Sequence, residues 1–97
     1  GEVEKLLERH PSVAQAAVVP VSDEIKGQIP VAFVVSTPGS APTEEEIRQF
    51  ALREGAAYAH PRAVIFVPTI PVATTHKVDR RILIERATSV IRSRGRV

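Results

Sequence analysis

The spacing of apolar residues changes several times along the chain, and each change predicts a different element. Val3, Leu6 and Leu7 recur at helical spacing among Glu2, Glu4, Lys5, Glu8 and Arg9. That pattern predicts a short amphipathic helix, closed by Pro11 because the residue before proline avoids helical geometry. From Val13 to Val21 and from Ile29 to Val35 the chain is almost continuously apolar and rich in β-branched residues. Both runs predict strands covered on two faces. The polar connection Ser22 to Gln28 suits an antiparallel hairpin whose turn uses Gly27 for a backbone shape that other residues resist.

Turn formers then dominate from Ser36 to Pro42. Thr43, with Glu46 three residues on, has the form of a capping box. Glu44 and Glu45 suit the positive end of the helix that follows, and Ile47, Phe50 and Ala51 form its predicted buried stripe. Gly55 is its predicted stop. Ala63 to Val67 reads as a third strand, placed at a sheet edge by the prolines at 61, 68 and 71. A last helix, N-capped near Asp79, is predicted to bury Leu83, Ala87, Val90 and Ile91. The order is helix, strand, strand, helix, strand, helix. It predicts an α+β fold, a small three-stranded mixed sheet with helices packed on it.

Composition narrows the class without changing that architecture. At 97 residues the chain holds one domain, and 43% hydrophobic with 25% charged residues places it among folded proteins. Cysteine is absent, which excludes disulfides, thiolate metal sites and a cysteine nucleophile. No apolar run approaches the ~18 residues that span a bilayer, and the first residues are unlike a signal peptide, so a cytoplasmic protein is expected. Gly1 opens directly into a predicted helix, which hints at a piece of something longer.

Charge is distributed unevenly. Residues 1–75 carry six basic and nine acidic side chains, whereas residues 76–97 carry seven basic and two acidic. A basic end segment fits an anionic partner or a solvated helix face followed by a tail.

The chemistry concentrates at Ile70-Pro71-Val72-Ala73-Thr74-Thr75-His76-Lys77-Val78-Asp79-Arg80-Arg81. A loop of small and hydroxylated residues between a strand and a basic helix start holds a lysine where it could neutralise charge on phosphate or carboxylate oxygens. Taken alone, a solvated surface lysine is the ordinary reading. Thr74 and Thr75 could donate to phosphate, or serve as turn and cap residues. Glu44-Glu45-Glu46 resembles a metal cluster but is better explained by the helix dipole. His10, His60 and His76 lack metal-ligand spacing, and no Ser-His-Asp set is suggested.

Pro71 to Arg81 resembles the final core motif of the acyl-adenylate-forming (AMP-binding) superfamily, which includes acyl-CoA synthetases, nonribosomal adenylation domains and luciferases. His10-Pro11-Ser12-Val13-Ala14-Gln15-Ala16-Ala17-Val18-Val19 is similar to the family's "HPxVxxAAVV" strand. Asp23-Glu24 with Gly27 fits its loop, Val31 to Val35 its next strand, and Tyr58 with Pro61 its "YxxP" turn. The resemblance covers nearly the whole chain in order.

It implies that residues 1–88 form the mobile C-terminal lid of an ATP-dependent acid:CoA ligase, most like fatty or aromatic acid CoA ligases. Residues 89–97 would be the end of the last helix and a basic tail. By that resemblance the partners are the large N-terminal adenylation domain, a carboxylic acid, ATP with Mg2+, and coenzyme A, bound mainly through the N-terminal domain. Lys77 would be the catalytic lysine of acyl-adenylate formation, with Thr75 and His76 beside the nucleotide. The isolated domain would be inactive. His76 stands where the family commonly has glycine, and Tyr58-Ala59-His60-Pro61 lacks the lysine that relatives often carry after the tyrosine. The hinge and CoA-facing loop of the family lie outside these residues. A non-catalytic module gripping an anion such as nucleic acid through the basic end is the alternative. Only Phe33, Phe50, Phe66 and Tyr58 are available as stacking platforms, which gives that alternative little support.

Overall fold

A computed structural model describes residues 2–23, 25, 27–55, 61–72 and 77–95. Its elements are α1 (Glu2–Leu7), β1 (Val13–Asp23), β2 (Gly27–Ser36), α2 (Glu44–Glu54), β3 (Ala63–Phe66) and α3 (Arg80–Gly95). The sheet order is β1-β2-β3, with β1 antiparallel and β3 parallel to β2. The predicted α+β architecture and element order are those observed.

The hairpin closes with Asp23 opposite Gly27, whose φ of 85° lies in the left-handed region that glycine tolerates. Pro20 and Pro30 face each other across the ladder. Alternation along the strands turns both imide nitrogens away from the β1–β2 bonds, so neither missing N–H breaks the pairing.

Two apolar layers cover the sheet. On one face Leu83 and Ala87 of α3 pack with Ala17, Val19, Val21, Val31 and Phe33. On the other, Leu7 of α1 with Ile47 and Ala51 of α2 pack with Val13, Ala16, Ala32, Val34 and Val64. Residues 31–34 of the central strand are consequently buried without interruption.

β1 departs from the expected two-sided burial, since Ala14, Gln15 and Pro20 are exposed. The six residues of α1 reach only about 9 Å. They cannot cover a strand of eleven residues, some 36 Å long, which leaves Pro20 exposed on that face. Ala14 and Gln15 instead lie at the bulged start of the strand, Gln15 on the α3 side. The predicted stripe of α3 holds for Leu83, Ala87 and, at the core margin, Ile91, while Val90 is only half-buried and Ile84 joins the margin as well. At roughly 24 Å that helix outruns the ~10 Å width of three strands.

Thr43 caps α2, its hydroxyl accepting from Glu46 N–H at 3.0 Å, which is the forward half of the predicted capping box. The Glu46 carboxylate lies 3.3 Å from Nε2 of buried His10. His10 Nδ1 accepts from Ser12 N–H, so the ring proton belongs on Nε2, facing that carboxylate. Phe50, expected in the buried stripe, is half-buried and meets the His10 ring edge-on at 4.9 Å. Gly55 ends the helix with an extended backbone that any residue adopts, its N–H donating to Ala51 C=O at 2.9 Å. A Cβ there would come within 2.5 Å of Leu6 Cδ2. No helix among the described residues is long and apolar enough to cross a membrane.

Candidate functional site

Lys77 emerges from a closed neck. Val72 and Val78 form an antiparallel bridge, and Asp79 N–H donates to Pro71 C=O at 2.9 Å. Below the neck, Ile70 is buried and Val78 packs against the α3-side core, which fixes both strands of the loop to the domain. Asp79 caps α3 by accepting from Ile82 N–H at 3.3 Å, the N-cap expected from sequence. Lys77 is exposed, and among the described residues none pairs with its ammonium. A cation carried on a fixed base, with no partner among the described residues, can be brought to an external anion without first breaking a bond to them. Thr75 and His76, as well as Thr74, Tyr58 and His60, lie outside the described residues, so of the predicted site residues Lys77 is the one placed here.

Beside this neck lies a polar network without an obvious sequence signature. Val18, on the outer edge of β1, directs both backbone groups away from β2. Its N–H donates to Glu4 Oε2 at 2.6 Å, and its C=O accepts from Arg80 Nη1 at 2.8 Å. Arg80 Nη2 stands 3.4 Å from the same Glu4 carboxylate. Just past the end of α1, four residues on from Glu4, Glu8 accepts from Ala16 N–H at 3.1 Å. Glu4 and Glu8 therefore occupy successive outward amides of an edge strand, and Pro20 removes the next one. Arg80, which belongs to the basic end segment, is a bridge between α3 and the sheet edge.

A second bridge forms at the opposite edge. Glu44 Oε2 accepts from Val64 N–H of β3 and from Arg94 Nη1, each at 2.8 Å. Burial raises the Glu44 pKa, but the Val64 N–H and the Arg94 guanidinium outweigh it and hold the carboxyl below its usual range. Two arginines of the basic end are thus engaged internally.

A family model for the AMP-binding enzyme C-terminal domain matches residues 2–77. The chain is 46% identical over 89 residues to 4-coumarate--CoA ligase 1 of Petroselinum crispum, covering 92% of this chain and 16% of that protein. Among solved structures it matches ATP-bound MatB from Rhodopseudomonas palustris with a TM-score of 0.84 and 27% identity, over 92% of this chain and 18% of that one. It matches the amide bond synthetase McbA from Marinactinospora thermotolerans with a TM-score of 0.84 and 35% identity, over 88% and 17%. The chain spans only 15–17% of the length of the curated relatives it matches.

Proposed function

Because the chain belongs to the family of AMP-binding enzyme C-terminal domains, we propose that it is the mobile lid of an AMP-forming acid:CoA ligase and that Lys77 is its adenylation lysine. The lid comprises residues 1–88, with 89–97 completing the last helix and tail. The observation that carries this reading is the family match ending at an exposed lysine, on an anchored loop, with no carboxylate partner among the described residues.

In the first half-reaction a carboxylate oxygen attacks the α-phosphorus of ATP, the bond to the pyrophosphate oxygen breaks, and an acyl-adenylate and pyrophosphate form. Two anions must approach, and charge grows on the phosphoryl oxygens. An ammonium held there offsets the repulsion and favours the transition state. In the second, the coenzyme A thiolate attacks the acyl carbon and AMP leaves. Rotation of the lid between the steps would withdraw Lys77 and present another face.

ATP, the acid and most of coenzyme A would bind on the N-terminal adenylation domain. The Mg2+ accompanying ATP would be held there too. Among the described residues of this chain no His, Asp or Glu group is arranged to hold a metal ion. Thr75 and His76 would border the nucleotide. The names of the relatives favour an aromatic acid such as 4-coumarate over a fatty acid. The cysteine-free composition fits action in the cytoplasm.

The test uses the full-length enzyme carrying this domain. Lys77→Ala should abolish most acid-dependent ATP–pyrophosphate exchange while leaving coenzyme A transfer from supplied acyl-adenylate largely intact. Unchanged exchange would reduce Lys77 to an ordinary loop lysine.

A further inference from the structure

Arg80 lies three residues from Lys77 and joins the first turn of α3 to two other elements. Its guanidinium donates to the Val18 carbonyl of β1 at 2.8 Å and approaches Glu4 of α1 at 3.4 Å. The Val72–Val78 bridge and the Asp79–Pro71 bond tie the ends of the lysine loop to each other. Only Arg80, among the polar contacts described, ties the loop's base to the sheet edge and the opposite helical layer.

We infer that Arg80 is a positioning residue for Lys77, setting where the ammonium stands relative to the sheet. This rests on the adenylation reading of Lys77 and deepens it. Three features single Arg80 out. Its acceptor is a backbone carbonyl of a strand whose burial fixes it, since Ala17 and Val19 on either side of Val18 are 1% and 0% exposed. Its second partner, Glu4, is itself held by Val18 N–H, so the fork closes on one residue from both sides. The arginine is also close in sequence to the lysine, with only Val78 and Asp79 between them, both engaged in the neck. A catalytic group displaced by about 1 Å can lose on the order of a hundredfold in rate. A short lever of this kind therefore matters to a reaction that Arg80 itself does not touch.

The experiment compares wild type, Arg80→Ala, Lys77→Ala and the double variant in the full-length enzyme. Exchange is measured with 4-coumarate and a medium-chain fatty acid as probes, and transfer with the corresponding supplied adenylate. Hydrogen–deuterium exchange of peptides covering residues 71–83 is followed in parallel, which needs no substrate. Arg80→Ala should slow pyrophosphate exchange about ten- to a hundredfold and spare transfer. It should add little in the Lys77→Ala background and should speed amide exchange in residues 71–83. Four results would overturn the proposal: equal loss of both half-reactions, unchanged pyrophosphate exchange where Lys77→Ala slows it, losses that multiply in the double variant, or unchanged amide protection. Should Lys77→Ala leave pyrophosphate exchange intact, it is the adenylation reading that fails, and the amide measurement still decides whether Arg80 holds the loop.

Discussion

The two edges of the sheet are closed by the same device in different neighbourhoods. At β1, Glu4 from α1 takes the Val18 amide and pairs with Arg80 at the start of α3. At β3, Glu44 from α2 takes the Val64 amide and pairs with Arg94 near the end of α3. Each carboxylate sits on the face opposite α3, so each pair wraps round an edge and links the two helical layers. An open strand edge invites pairing with another chain, and a carboxylate on the outward amide removes that opportunity. What differs is the neighbourhood. The β1 clamp adjoins the neck that carries Lys77, whereas the β3 clamp holds the far end of α3. Similar local bonding therefore stands beside the candidate site at one edge and away from it at the other.

The largest expected effect bears on the functional half of that contrast. Lys77→Ala should lower ATP–pyrophosphate exchange by about a hundred- to a thousandfold, the size typical of losing one group that stabilises transition-state charge. Arg94→Ala should leave exchange within about twofold of wild type. A large loss from Arg94→Ala would erase the asymmetry between the edges.

Stability tests sharpen the shared half. Glu4→Ala and Glu44→Ala each strip the acceptor from an edge amide and unpair an arginine, and each should destabilise the domain by about 1–3 kcal/mol in urea unfolding. A much smaller loss in either variant would mean that water replaces the carboxylate at that edge. Thr43→Ala, which removes the cap of α2 and thereby loosens the base of Glu44, should lose about 1 kcal/mol. A loss confined to Glu44→Ala would separate the clamp from its helix.

The smallest expected effects are electrostatic. Arg94→Ala should lower stability by no more than about 1 kcal/mol, because the Arg94–Glu44 pair is partly exposed at 50% and 33%. The folded pKa of Glu44 is lowered, so its charge contributes stability that is fully present above the ordinary glutamate value of ~4.3 and is lost as pH falls through the folded value. The advantage of wild type over Glu44→Gln should thus be constant near neutrality and shrink below about pH 4.3, as read by unfolding at a series of pH values. An advantage that persists in strong acid would assign it to packing instead.

Local signals in the amino-acid sequence determined the elements. Turn chemistry at Gly27, the Thr43 cap, the Asp79 cap and apolar periodicity each act over a few residues, and each is realised in the fold. Lys77 was legible as a candidate for the same reason, its loop being bounded by recognisable strand and helix signals. Tertiary structure alone decided which strand is buried on both faces, because α1 is too short to cover β1 and no residue of β1 records that length. It also decided the edge clamps. Glu4 and Glu8 at i, i+4 on an amphipathic helix look like solvent-facing charges, yet their partners lie 14 and 8 residues away. Arg80 meets Val18 across 62 positions and Arg94 meets Glu44 across 50. A hydrogen bond at such separation depends on how the layers stack, which local residue preferences do not encode.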